Sequence, residues 1–136
     1  MELPLGTIRV VAYKTVGAVG FEIDRNELEE ILGPSDRQVK SRIWALELHY
    51  AAGVYRFGQD GKLKEVSIDS SQLEIEGESV SFTGLKLFFE QCDDELFARY
   101  GFLVSPRFGM AFDQHYPSWV TAFTHSELSL WRSIKG

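Results

Sequence analysis

The apolar positions Leu28, Ile31 and Leu32 recur 57 residues later as Leu85, Phe88 and Phe89, and Leu46 recurs at the same distance as Leu103. Phe57 and Phe112 stand 55 apart, a drift that small deletions in intervening loops produce. A chain patterned in this way builds the same kind of unit twice, here near residues 15–68 and 72–124, with a C-terminal tail at 125–136. Only apolar positions match, so two unrelated strand-helix-strand segments of equal period would align as well, and both origins stay open at this point.

The local signals say what the unit is. Asp24 followed by Glu27 forms a capping box: Asp24 can accept from the free amides of a first helical turn and Glu27 can reach back. Leu28, Ile31 and Leu32 then share one face, and Gly33 with Pro34 supplies a left-handed C-cap and a stop, which predicts a helix over 25–32. Trp44, Leu46, Leu48 and Tyr50 alternate with Ala45, Glu47 and His49, the period of a strand with one buried face. Strands are predicted at 54–57 and 63–68 around Gly58, Gln59, Asp60 and Gly61, where the Asp-Gly pair suits a tight hairpin. Residues 8–13 and 19–23 are also strand-like, being apolar and β-branched.

In the second half, a strand at 73–76 and a turn at Gly77 lead to a helix from about Leu85, with Leu85, Phe88, Phe89 and Cys92 on one face. Strands at 102–104, 108–112 and 119–123 follow, the last two joined by a loop from Asp113 to Ser118. Residues 126–134, with Leu128, Leu130, Trp131 and Ile134, are expected to form a helix or extended tail covering a sheet edge. The two units are too small and too closely joined, through Asp69, Ser70 and Ser71, to be separate domains. The expectation is therefore a single α+β domain over 1–136, with helices on one face of a mainly antiparallel sheet and the other face open at least in part.

Composition bounds the function. With 136 residues, 44% of them hydrophobic, the chain can close a core of its own. Its formal charge of -6 argues against nucleic acid or anionic lipid as a direct partner. Residues 1–68 hold nine basic and ten acidic groups and residues 69–136 five and ten, so the second half carries the excess. One cysteine, Cys92, precludes an internal disulfide and fits a reducing, cytoplasmic setting. Residues 1–6 lack the basic start of a secretory leader, and no stretch approaches the ~20 apolar residues of a membrane-spanning helix.

Catalytic patterns are hard to find. The three histidines, His49, His115 and His125, are dispersed, with only Asp113 near one of them, and no metal site or cofactor is expected. Cys92 lies on a helix's apolar face, where a thiol behaves as a small hydrophobe. Gly17 to Gly20 and Gly58 to Gly61 precede strands rather than helices and so do not match phosphate-cradling loops. Asp93, Asp94 and Glu95 suit the N-terminal end of a short helix through 96–100.

What remains is an aromatic inventory beside acidic groups: Trp44, Tyr50, Tyr55, Tyr100, Tyr116 and Trp119. Tyr and Trp serve as interface anchors, and Tyr55 and Tyr116 are the two expected to be exposed. Tyr55, Asp93, Asp94, Glu95, Asp113, His115, Tyr116 and Trp119 are accordingly the candidate partner-binding residues, in a monomer or weak homodimer. The competing class is a small enzyme or ligand-binding protein with a pocket near Asp113, His115 and His125. A subunit assembling through strand edges is a third.

The run from Gly20 to Pro34, then that from Gly53 to Ile68, resembles small bacterial immunity-type proteins of tandem α+β build. The turn at Gly77, the Leu-rich helix and the closing hairpin are similar too, and the fold resembles that of the β-lactamase inhibitor protein. The resemblance covers roughly residues 15–124 and rests on a cap, a turn and apolar positions. It departs at the second hairpin, where His115, Tyr116, Pro117 and Ser118 replace an Asp-Gly turn, and in the tail. It implies a non-enzymatic protein that binds and blocks a cognate toxin, a basic toxin domain being one natural target of the acidic half.

Overall fold

A computed structural model describes residues 7–133. Residues 1–6, read above for a leader, and Ile134 of the tail lie outside that range. Thirteen strands and three α-helices are present among the described residues. In chain order these are β1 (Thr7–Val11), β2 (Thr15–Val16), β3 (Val19–Gly20), α1 (Arg25–Leu32), β4 (Arg37–Val39), β5 (Leu46–Tyr50), β6 (Gly53–Phe57) and β7 (Leu63–Asp69). Then come β8 (Gln72–Ile75), β9 (Glu78–Ser81), α2 (Leu85–Cys92), β10 (Phe97–Arg99), β11 (Phe102–Ser105), β12 (Met110–Asp113), β13 (Trp119–Phe123) and α3 (His125–Ser133).

The strands form two sheets. The larger is antiparallel throughout, ordered β10-β11-β12-β13-β7-β6-β5-β4, so each half of the chain supplies a four-stranded meander and the meanders join where β7 meets β13. The smaller is ordered β3-β2-β1-β8-β9, with β1 and β8 parallel. Mixed α+β architecture with mostly antiparallel pairing is thus observed.

Apolar alternation explains how the layers meet. Leu46 pairs with Phe57 and Phe57 with Leu63; in the other meander Leu103 pairs with Phe112 and Phe112 with Val120. These rows point into one core with Leu28 of α1, Leu85 and Phe89 of α2, and Val10, Leu73 and Ile75 of the small sheet. The inner face of the large sheet therefore carries α1, α2 and the small sheet. A second cluster of Val104, Ala111, Phe123 and Trp131 lies on the outer face. There Trp131 of α3 packs on Phe102 and Phe123, with ring centroids 5.2 and 5.7 Å apart. The tail thus covers part of a face instead of an edge, and the helices do not all lie on one side.

Several local expectations hold and others change. The capping box forms, Glu27 N donating to Asp24 Oδ1 at 2.9 Å and Asp24 N to Glu27 Oε1 at 3.1 Å. Gly33 has φ of 79° with ψ of -173°, so it uses glycine's freedom without adopting the left-handed helical cap. Leu28 is fully buried, but Ile31 and Leu32 are exposed, because α1 touches the core along one narrow line. The segment after Asp93 forms β10 in place of a helix, since its residues pair with β11 and close the meander.

Candidate functional site

α3 leaves part of the outer sheet face uncovered, and a groove of about 290 Å³ lies there across the junction of the two meanders. Val54 and Arg56 come from β6, Ser67 from β7, Thr121 and Trp119 from β13, Asp113 from the end of β12, and Phe102 from β11. Tyr116, on the β12–β13 loop, completes the lining and is 63% exposed. Outward-facing positions in register produce this convergence: Val54 pairs with Ser67, Ser67 with Thr121, and Phe102 with Asp113.

The polar groups of the groove are held by specific partners. Ser67 and Thr121 share a hydroxyl hydrogen bond of 2.8 Å. Arg56 Nη1 donates to Ser67 Oγ at 2.7 Å and to Glu65 Oε2 at 3.2 Å, while its Nε lies 3.8 Å from Glu47 Oε1. Asp113 Oδ1 accepts from the backbone N–H of His115 and meets its ring Nδ1, both at 2.8 Å. These hydrogen bonds, that from the backbone first, and the nearby imidazole hold the Asp113 carboxyl below its ordinary range despite partial desolvation.

Beneath α3, next to this surface, Glu65 is buried and accepts from the Trp131 indole N–H at 3.2 Å. Burial pushes its pKa up to about 7, aided by the negative charges of Glu127 and Glu47 and opposed by Arg56 and the indole. A bulge places it there. Arg56 pairs with Glu65 but Phe57 pairs with Leu63, so Lys64 is the extra residue and the facing of the strand shifts by one. Leu63, Val66 and Ile68 consequently share the inner core and Glu65 turns outward.

The residues singled out from sequence divide into three groups. Asp113, Tyr116 and Trp119 line the groove, with His115 bound to Asp113 at its rim. Asp94 and Glu95 are exposed along a separate open cleft with Glu90 and Arg107. Asp93 is buried and structural: its carboxylate accepts from Ser105 Oγ at 2.6 Å, Arg107 N at 3.0 Å and Glu95 N at 2.9 Å. Burial raises its pKa, but these three bonds and the Arg107 charge outweigh burial and leave it lowered. Tyr55, expected at the surface, is 9% exposed and belongs to the inner core, on the same side as Phe57.

His125 does not join Asp113 and His115. It starts α3, at the opposite end of β13 from the His115 loop, and stacks on Tyr13 with ring centroids 3.6 Å apart. The His115 side chain is 85% exposed. Among the described residues, no group of three or more His, Cys, Asp or Glu side chains is placed to hold a metal ion. No helix among them is long and apolar enough to cross a membrane. Val54, Arg56, Ser67, Phe102 and Thr121 are groove residues that belong to no sequence motif, although the parity of Phe57 and Phe112 marks the outward positions of β6 and β12.

Comparison with protein-family models, with curated proteins and with solved structures gives no match to this chain.

Proposed function

We propose that this chain is a non-enzymatic binding protein of the immunity type, which attaches to a cognate bacterial toxin through the uncovered part of its outer sheet face. One observation carries the reading: Phe102, Tyr116 and Trp119 wall a solvent-open groove on the part of the outer sheet face that α3 leaves uncovered. Rigid aromatic side chains around a depression are the usual anchors of protein interfaces, since they offer contact area at low entropic cost. The acidic excess of the second half favours a basic partner and faster encounter with it. The separation of His125 from Asp113 and His115 removes the convergence that the enzymatic alternative requires.

The same reading takes the chain as two diverged copies of one unit. Supporting it, the triplets Leu46, Phe57, Leu63 and Leu103, Phe112, Val120 occupy equivalent cross-strand rows in the two meanders. The groove then belongs to what the copies do not share, because its aromatic wall comes from the second unit alone.

Affinity isolation from the native cell tests the function. The wild-type chain is expected to retain a stoichiometric partner and the Tyr116→Ala, Trp119→Ala double variant to lose it. Leu87→Ala, on the exposed side of α2, serves as the control and is expected to retain it. A chain that stays solitary at its physiological concentration, or a partner indifferent to the double substitution, defeats the reading.

A further inference from the structure

The groove contains two charges, and among the described residues they are answered to different degrees. Arg56 sits between Glu65 and Glu47 and also donates to Ser67, so its charge is answered on several sides. Asp113 differs. Its side chain is 10% exposed and lines the groove, yet only Oδ1 is engaged, by His115; Oδ2 has no hydrogen-bond partner among the described residues. An ionised carboxylate oxygen removed from most solvent favours a cationic donor. Gly101, at φ of 84° in the β10–β11 turn, borders this oxygen: a Cβ there would stand 3.4 Å from Asp113 Oδ2, in van der Waals contact.

The surrounding walls have the matching chemistry. Phe102, Tyr116 and Trp119 present aromatic rings, whose faces attract a cation, and a planar guanidinium can stack on such rings while donating to a carboxylate. The volume of about 290 Å³ is at the lower limit of the roughly 300 to 1,000 Å³ typical of small-molecule sites. That favours a single long side chain over a nucleotide or larger cofactor.

We infer that the groove is a receptor for one basic side chain of the partner, preferably an arginine, whose guanidinium enters beside Tyr116 and Trp119 and pairs with Asp113 Oδ2. The inference rests on the proposed binding function and specifies the chemistry of the contact. It also accounts for the placement of the second hairpin: the loop from Asp113 to Ser118 supplies both the carboxylate and one aromatic wall.

The test is a titration of the full chain with N-acetyl-L-argininamide, followed by the indole N–H resonances of its three tryptophans. Trp119 is expected to shift saturably, while Trp44 and Trp131, outside the groove, stay in place. N-acetyl-L-glutaminamide, of similar length but uncharged, should produce no saturable shift. Asp113→Asn is expected to weaken argininamide binding at least about tenfold, as loss of a charge-assisted pair requires. Tyr116→Ala, at an exposed side chain outside both cores, should weaken it several-fold with the fold intact.

Absence of a saturable Trp119 shift up to about 50 mM argininamide overturns the inference, as does equal binding of the glutamine analogue or an unchanged affinity in both variants. Failure of argininamide alongside a captured partner that still depends on Tyr116 and Trp119 removes the cation receptor and leaves the binding surface. Argininamide binding through Asp113 with no groove-dependent partner retains the cation site and removes the protein partner.

Discussion

Glu65 couples stability to pH in a direction opposite to that of Asp93 and Asp113. Its ordinary value of 4.5 applies in the unfolded chain, and burial raises it to about 7 in the folded one. Below pH 4.5 both states hold the proton and the shift has no effect. Between 4.5 and 7 the unfolded chain ionises first, so stability falls with rising pH, by about 3 kcal/mol in all, and then levels off. The raised Glu127 acts in the same direction. Asp93 and Asp113, both lowered, act in the other: their stabilisation is present above the ordinary carboxylate range and is lost on acidification. Thermal midpoints across pH 4.5 to 8 should therefore decline toward neutrality in the wild type and decline less in Glu65→Gln; parallel profiles would show that Glu65 is not the source. Gly109 sets a second residue-scale requirement. It has φ of 62°, and a Cβ there would lie 2.8 Å from the ring of Tyr13, whose hydroxyl donates to Pro106 O. Gly109→Ala is expected to cost about 3 kcal/mol from backbone strain and overpacking together, measurable by urea denaturation; a change within experimental error would mean that the ring moves freely.

At the scale of elements, Trp131 is the main anchor of α3, beside the half-buried Leu128 and the His125–Tyr13 stack. Trp131 is its one buried residue, set against Phe102 and Phe123 and donating to Glu65. Trp131→Ala should remove about 3 kcal/mol of packing, leave the Glu65 acceptor without its indole donor, and expose the Val104 and Ala111 surface. Hydrogen exchange provides the check: amides of α3 should lose protection while those of β5 and β6 keep theirs, and uniform loss across the chain would show α3 to be integral to the main core. How much of this was legible follows from the period of each element. The capping box of α1 and the alternation through β5 are local or periodic signals, and each has a counterpart in the structure. The side taken by α3 was not legible, because Leu128, Leu130 and Trp131 fit an edge or a face equally well. Tyr55 reads as a surface residue only if Val54 is taken as the inward one. Phe57, two positions on, carries the correct parity, since residues 53, 55 and 57 share one side of the strand. Glu65 was hidden by the bulge at Lys64: strict alternation from Leu63 would turn Glu65 inward and Val66 outward, and a bulge leaves no dependable mark in one sequence. The groove was legible only in part for a related reason. Asp113, Tyr116 and Trp119 lie close in sequence, whereas Arg56 and Ser67 reach them through the long-range pairing of β7 with β13.

For the whole molecule, that pairing decides whether the chain behaves as one cooperative body. In the large sheet the two meanders are hydrogen-bonded where β7 and β13 run side by side, with Val66 opposite Ala122 and Ile68 opposite Val120. The parallel β1–β8 pair joins the halves again in the small sheet, where Ile8 lies opposite Leu73 and Val10 opposite Ile75. Val66, Leu73, Ile75 and Val120 belong to one inner core together with Leu28 of α1 and Leu85 of α2. Either half alone would leave a long apolar strand edge and half of that core in water, which is costly in free energy and invites aggregation. Cooperativity should therefore extend across the seam, whatever the evolutionary origin of the halves. Val66→Ala places the test where both meet. Val66 is fully buried, and shortening it should cost about 2 kcal/mol. The expected outcome is one unfolding transition, seen at the same denaturant concentration by far-ultraviolet circular dichroism and tryptophan fluorescence, shifted to lower denaturant with an unchanged slope. Trp44 reports the first half of the chain and Trp119 and Trp131 the second, so fluorescence of single-tryptophan variants separates their contributions. If the substitution splits the transition into two, with Trp44 and Trp119 reporting different midpoints, the halves are separate folding units joined at an interface. The groove across their junction would then open and close with that interface, and partner binding would become coupled to the stability of the seam.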